Sequence, residues 1–319
     1  MLRHRLIFGT LMFAALGAVL HVDNLLDRVV REAAAAPDAA AWPAMVVPGL
    51  LMMLVFALLI VLAARELCDI FRTKGIESGH TTIAASALGG FLAMVGLRFG
   101  RDGHMAAAAL ATVAALAFVA ALIGHSFRRQ RVEGAIAAAA TALFALVYLG
   151  LLPGFYLGIR SAHSAWVVAG IIVITKCGDS GAYFTGRLIG RHRLIPWLSP
   201  GKTWEGLAGA LVASALCALL FAWLFNTCGG AGVWEQYDHG QRRWVERPYR
   251  YGAAMFCGAV LALAGHLGDL LVSLLKRDAR IKDSGATIPG FGGMLDVLDS
   301  PIVAGPAAYW LMVLAGRMD

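Results

Sequence analysis

Charge is scarce in this chain. Asp, Glu, Lys and Arg make up 15% of its 319 residues, while 59% are hydrophobic and the mean hydropathy is +0.71. Soluble domains carry about 25% charged residues, so this scarcity excludes an ordinary water-soluble fold. Cysteine is also sparse. Cys68, Cys177, Cys217, Cys228 and Cys257 contain no C-x-x-C pair, which leaves neither a zinc-ribbon pattern nor a disulfide framework and reads as buried packing residues. No internal repeat is visible. The basic excess is modest, with 27 Lys and Arg against 20 Asp and Glu for a net charge of +7. In a hydrophobic chain that excess points to loops facing anionic lipid and argues against nucleic acid as a partner.

What the chain has in quantity is long apolar runs. A helix needs about 20 apolar residues to cross a hydrocarbon core of roughly 30 Å, and the runs give candidate spans near 6–21, 45–63, 83–97, 105–123, 135–152, 164–175, 206–227, 252–275 and 301–316. The expected fold is an all-α polytopic transmembrane protein of about nine spans, with eight as the alternative. Two spans are weak: 83–97 is short and holds Gly89 and Gly90, and 164–175 could run on to Tyr183. The Ala-rich stretches Ala106–Ala121 and Ala135–Ala142 suit close helix packing. Residues 1–160 are expected to form N-terminal membrane helices, and 161–319 a domain that carries the chemistry. The first run is expected to stay as a helix, although Arg3, His4 and Arg5 before it and Ala33–Ala36 after it also fit a cleaved leader. Residues 23–41 would then be a polar loop, or a surface helix lying on Leu25, Leu26, Val29 and Val30.

Two segments concentrate polar residues at the ends of spans, where an ionised group needs a reason to be. In the second of them, Asp269, Ser273 and Lys276 are spaced by four and three residues, which places a carboxylate, a hydroxyl and an ammonium on one helical face. Arg277, Lys282 and Asp283 follow, then the glycine-rich turn Pro289-Gly290-Phe291-Gly292-Gly293, then Asp296 and Asp299. Asp278 reads as a solvated surface carboxylate and His266 as a structural polar residue. Carboxylates such as Asp269 and Asp296 are the hard donors that Mg²⁺ takes together with substrate phosphates. The first segment holds Asp179 and the turn Ser199-Pro200-Gly201-Lys202-Thr203-Trp204-Glu205-Gly206, which leads into a helix N-terminus. A Walker A reading fails, because Pro196 stands where its first glycine must be. Lys202 beside helix N–H groups remains a candidate phosphate ligand, or a lysine snorkelling at the membrane edge.

Ser273 to Asp299, S-L-L-K-R-D-A-R-I-K-D-S-G-A-T-I-P-G-F-G-G-M-L-D-V-L-D, resembles the signature of the phosphatidate cytidylyltransferases, or CDP-diglyceride synthases. Asp179–Phe184 and Ser199–Gly206 match that family's other motif region, so the likeness covers roughly the C-terminal 45% of the chain. Phe291 stands in place of the family's usual His, and Val297 in place of its usual Arg. The missing Arg removes a bidentate phosphate ligand.

The resemblance implies transfer of CMP from CTP to phosphatidate, giving CDP-diacylglycerol and pyrophosphate. It implies Mg²⁺, with a second, monovalent cation left open, membrane lipids as surroundings and a homodimer as the assembly. Asp269 and Asp296 would hold the principal metal, with Asp179 and Asp299 in support. Lys202, Lys276, Arg277 and Lys282 would neutralise phosphates and Ser273 would hydrogen-bond one, with Ser199, Thr203, Gly292 and Gly293 lining the substrate site. Two alternatives stand beside this reading. One is a related lipid-phosphate nucleotidyltransferase with another acceptor. The other is an anion transporter, which would show paired broken helices in related halves.

With nine spans, 17 of the 27 basic residues fall on the side that carries the N-terminus and both polar segments. The positive-inside rule makes that side cytoplasmic, in what would be a bacterial inner membrane. Cysteine-accessibility labelling should therefore modify positions 191 and 282 from the cytoplasmic face and position 242 from the opposite face. Labelling of 191 and 282 from different sides would separate the two polar segments.

Overall fold

The computed structural model describes residues 16–30, 49–99, 103–130, 132–227, 236–238, 243–245, 248–285, 287 and 292–315. It is an all-α bundle: α1 (16–30), α2 (Leu50–Thr73), α3 (His80–Phe99), α4 (Gly103–Arg129), α5 (Ala135–Ala145), α6 (Leu152–Ala162), α7 (Ala165–Ile189), α8 (Trp204–Thr227), α9 (Tyr251–Asp278) and α10 (Met294–Leu314). A π-turn, Leu146–Leu151, joins α5 to α6 as one span. Two short antiparallel hairpins interrupt the helices, β1 (Arg193–Ile195) with β2 (Ser199–Thr203), and β3 (Gln236–Asp238) with β4 (Arg243–Val245).

Among the described residues seven helical stretches are long and apolar enough to cross a membrane: Leu50–Thr73, Leu110–Phe127, Ala135–Ala162, Ala165–Ile189, Trp204–Thr227, Tyr251–Asp278 and Met294–Leu314. The protein is therefore an integral membrane protein of polytopic helical type. Most of the run at 6–21 lies outside the described residues. The weak stretch at 83–97 is helical within α3, and its glycines have a packing reason. A Cβ on Gly150 of the π-turn would stand 3.0 Å from the Cα of Gly90, and one on Gly90 would stand 3.1 Å from the Leu146 side chain. The two backbones therefore meet directly.

Two segments allow alternative readings in the sequence. The stretch from 176 onwards, expected as a loop or as an extension of the span to Tyr183, is helical as far as Ile189, so the extended reading holds and Lys176 and Asp179 lie within α7. Residues 23–30, expected in a polar loop or on an amphipathic surface helix, belong to α1. Their polar side faces inward: Asp23 and Asp27 are buried, while Leu25, Leu26 and Val29 are exposed. Helices from both sides of residue 160 pack together, as where the Tyr156 hydroxyl donates to the Pro301 carbonyl at 2.9 Å.

The inverted face of α1 is explained by Arg160, which is fully buried at the end of α6. Its Nε lies 2.8 Å from Asp23 Oδ2 and its Nη1 2.8 Å from Asp27 Oδ2. Nη1 also donates to the His163 carbonyl at 3.1 Å. The remaining carboxylate oxygens accept from the amides of Met52 at 3.1 Å and Gly49 at 3.2 Å, and Asn24 accepts from Ala165 N at 2.8 Å. Gly49 has φ +77°, and a Cβ there would fall 2.6 Å from Arg160 Cγ. Arg160 and the α1 residues Asp23, Asn24 and Asp27 thus tie α1, α2, α6 and the start of α7 together. Removing one partner of such a buried group costs about 3–5 kcal/mol, because the other charges lose their counter-ion. Arg160→Ala should lower the thermal unfolding temperature of the detergent-solubilised protein markedly. Arg187→Ala, at an exposed site, should stay within about 0.5 kcal/mol of the parent.

Candidate active site

At the other end of the bundle, α7 and α9 finish while α8 and α10 begin. Small residues let these helices approach. Gly178 of α7 faces Ser214 of α8, where a Cβ would come within 2.5 Å of the hydroxyl oxygen, and that hydroxyl donates to the Ile174 carbonyl at 2.8 Å. Gly265 of α9 would place a Cβ 2.6 Å from Thr175 of α7, and Gly268 would place one 3.2 Å from the Ser300 Cα of α10. Side chains of α7, α9 and α10 thereby come within hydrogen-bonding reach.

The approach brings three lysines onto four carboxylates. Lys176 of α7 lies 3.2 Å from both Asp179 and Asp299. Ser300 joins the same two acids, its hydroxyl 3.0 Å from Asp179 and 3.1 Å from Asp299, while its amide donates to Asp299 at 2.6 Å. Lys202, at the end of β2 and largely buried, pairs with Asp269 at 2.8 Å and donates to the His266 carbonyl at 3.3 Å. Lys276 pairs with Asp296 at 2.6 Å. The face of α9 expected from spacing is real in part, since Ser273 donates to Asp269 at 3.4 Å. Lys276, however, crosses to α10 instead of closing an intrahelical pair.

The turn before α8 caps its own helix. The Thr203 hydroxyl accepts the Gly206 amide at 3.0 Å, and Glu205 accepts from Arg191 N at 3.1 Å and His192 Nδ1 at 2.6 Å. Thr203 is buried and Ser199 half-buried, while Arg277 and Lys282 are exposed at the rim. Gly292, with φ +94°, and buried Gly293 lead into α10. Pro289, Gly290 and Phe291 lie outside the described residues. Asp278 is exposed, but Lys74 Nζ holds both its carboxylate and its carbonyl at 3.0 Å, so it is paired at the surface and not merely solvated. His266 is buried, and its Nε2 has no partner among the described residues.

Sequence reasoning missed Lys176 and Glu66. Lys176 opens the first polar segment but was given no role, because its pairing with Asp299 of another helix leaves no local pattern. Glu66 of α2, almost fully buried, accepts from Met294 N at 2.7 Å, Leu295 N at 2.9 Å and the Ser284 hydroxyl at 3.0 Å, and also from Thr287. Glu66 stands beside Arg65, Asp69 and Arg72 at the polar end of α2, beyond the span expected at 45–63, so nothing local set it apart from its charged neighbours. Ser284 also binds Asp296 Oδ2, through its amide at 3.1 Å and its hydroxyl at 2.9 Å.

Chemically, the cluster is a set of hard oxygen donors held by ammonium groups. Four carboxylates against three lysines leave one negative charge in excess. Among the described residues no three His, Cys, Asp or Glu side chains already converge as a metal site. The donor chemistry and the excess charge nevertheless fit a hard cation such as Mg²⁺, once a lysine turns to an anion.

The chain is similar to known proteins. Over 173 residues the chain is 32% identical to the phosphatidate cytidylyltransferase of Bacillus subtilis, covering 53% of this chain and 56% of that protein. It is 30% identical over 288 residues to phosphatidate cytidylyltransferase 5, chloroplastic, of Arabidopsis thaliana, with 81% and 64% covered. It is 29% identical over 286 residues to the phosphatidate cytidylyltransferase of Synechocystis, with 81% and 87% covered. The match thus spans between about half and two thirds of the first two relatives and most of the third. A family model described as the cytidylyltransferase family matches residues 38–315, and the chain belongs to that family.

Proposed function

We propose that this chain is a phosphatidate cytidylyltransferase, which transfers CMP from CTP to phosphatidate. The observation that carries the reading is the Lys176, Lys202 and Lys276 cluster on Asp179, Asp269, Asp296 and Asp299, in a chain of the cytidylyltransferase family. In the reaction a phosphate oxygen of the lipid attacks the α-phosphorus of CTP. The bond from that phosphorus to the β-phosphate bridging oxygen breaks, and pyrophosphate leaves with the electron pair. The nucleophile is already anionic at neutral pH. Positioning and charge neutralisation therefore carry most of the catalysis, and general-base chemistry little of it.

Each residue has a role in that scheme. Lys202 and Lys276, the less exposed lysines, would turn from their carboxylates to the phosphates, and Arg277 and Lys282 would receive the triphosphate at the rim. Ser273 would hydrogen-bond a phosphate oxygen. Ser199 and Gly292 would line the substrate site, while Thr203 and Gly293 would shape its two loops. Mg²⁺ held by Asp269 and Asp296, with Asp179 and Asp299 beside them, would supply further neutralisation of the triphosphate. A homodimer in the bacterial inner membrane, with the N-terminus and the site facing cytoplasmic CTP, completes the proposal. Val297 is half-buried on α10 at the position where the resembling family has Arg, which favours testing a second lipid-phosphate acceptor.

The decisive experiment incubates purified protein with labelled CTP, Mg²⁺ and phosphatidate and follows lipid-linked cytidine. Transfer should stop in excess EDTA, and full turnover there would refute the metal requirement. Replacing phosphatidate by another lipid phosphate in the same assay decides the acceptor. Asp296→Asn, which keeps size but removes charge, should lower turnover by about 100-fold or more and raise the Mg²⁺ concentration for half-maximal rate. Asp278→Asn loses only a surface pair worth about 0–1 kcal/mol and should stay near the parent rate. Equal damage from both substitutions would show that the carboxylate assignment is wrong.

A further inference from the structure

Helix α10 carries Asp296 and Asp299, yet its first turn has no side-chain cap of its own, because Gly293 occupies the capping position. Glu66, from a helix more than 200 residues earlier in the chain, fills that place. One carboxylate oxygen accepts Met294 N at 2.7 Å, and the other accepts Leu295 N at 2.9 Å. A carboxylate facing the first N–H groups of a helix is stabilised both by hydrogen bonds and by the positive end of the helix dipole. Two glycines make room for it. A Cβ at Gly293 would stand 2.6 Å from Glu66 Oε2, and one at Gly285 would stand 2.8 Å from Oε1.

The contact reaches further than a cap. The Ser284 hydroxyl lies 3.0 Å from Glu66 Oε2 and 2.9 Å from Asp296 Oδ2. Its single proton serves one acid at a time, so the hydroxyl couples the two as alternative acceptors of the same proton. The Ser284 amide fixes the same Asp296 oxygen at 3.1 Å, and Lys276 takes the other at 2.6 Å. An acid in a membrane-spanning helix is costly unless it has a task, and among the described residues Glu66 bonds to Ser284, Thr287 and the first two amides of α10. We infer that Glu66 is a positioning residue: it holds Ser284, Thr287 and the first turn of α10 so that Asp296 keeps the orientation its part in the site requires. The inference rests on the proposed reaction for its effect on turnover, but not for its effect on α10.

The full chain in lipid nanodiscs gives both readouts. Amide hydrogen exchange is compared for the parent and Glu66→Gln, a substitution that preserves shape but places an amide NH₂ against helix N–H donors. Exchange at Met294 and Leu295 should rise by about tenfold or more, while α7 and the later turns of α10 keep their protection. In the transfer assay the Mg²⁺ concentration for half-maximal rate should rise and kcat should fall. Glu66→Asp, which keeps the charge, should recover part of both. Ser284→Ala keeps the Glu66 bonds to Met294 N and Leu295 N and the backbone amide on Asp296, and removes only the hydroxyl shared by Glu66 and Asp296, so it should shift the metal requirement without raising exchange at Met294, and it remains informative if Glu66→Gln folds poorly. Unchanged exchange and an unchanged metal requirement in a folded Glu66→Gln protein would overturn the inference, as would an unshifted metal requirement in Ser284→Ala. If the parent protein transfers no cytidylyl group to phosphatidate, the proposed reaction fails, while the exchange comparison still decides the role of Glu66.

Discussion

A carboxylate inside an apolar helix bundle must be given a counter-charge or helix N–H groups, because leaving it unpaired costs several kcal/mol. That requirement organises both ends of this protein. At one end Arg160 is divided between Asp23 and Asp27, with backbone amides taking the oxygens that remain. At the other end Lys176, Lys202 and Lys276 are distributed over Asp179, Asp269, Asp296 and Asp299, and Glu66 faces the N-terminus of α10. The two ends differ in accessibility, and that difference separates scaffold from site. Arg160 and its two acids are sealed from solvent, whereas Lys176, Asp179 and Asp269 are each about one third exposed.

Lysine reach alone does not explain the pairing, since the helices must first come close. The contacts at Gly178, Gly265 and Gly268 bring α7, α9 and α10 nearer than ordinary side chains allow. In a membrane, where apolar burial gives little drive for helix association, small residues and interhelical hydrogen bonds supply the contact. The Ser214 hydroxyl on the Ile174 carbonyl and the Ser300 hydroxyl on Asp179 are such bonds. Small residues therefore serve the chemistry indirectly, by placing acids from separate helices around one ammonium group.

The sequence revealed the class of fold and singled out Asp179, Asp269, Asp296, Asp299, Lys202 and Lys276, though not Lys176, because apolar runs and misplaced charges are local signals. Asp269, Ser273 and Lys276 share a face by spacing alone, and the hydrogen bond from Ser273 to Asp269 follows from it. Pairing across helices was not legible. Nothing local says that Lys276 should reach Asp296, that Lys202 should reach Asp269, or that Lys74 should hold Asp278. Residues 23–30 read as a polar loop or an amphipathic surface helix, and an outward apolar side of Leu25, Leu26 and Val29 suits the second; what the pattern did not reveal is that Asp23 and Asp27 turn inward to Arg160. Glu66 escaped notice because its partners lie more than 200 positions away and include backbone amides, which carry no sequence signature.

On the proposed reaction, the lysine and carboxylate pairs have a consequence for how charge is kept in balance. A triphosphate would bring anionic oxygens to the lysines, and a divalent cation would bring positive charge to the carboxylates. Each buried group would then exchange one ionic partner for another, and none would pass through a state without one. Such an exchange avoids the several kcal/mol that an unpaired ion costs in a low-dielectric site. The same physics explains why the cluster holds more acid than base. With four carboxylates to three ammonium groups, the ion pairs hold the helices together, and on the proposed reaction a bound cation would balance the charge left over. Glu66 stands outside that exchange, because its partners are backbone amides and hydroxyls with no charge to give up, and it can hold α10 in place while the ions around Asp296 change.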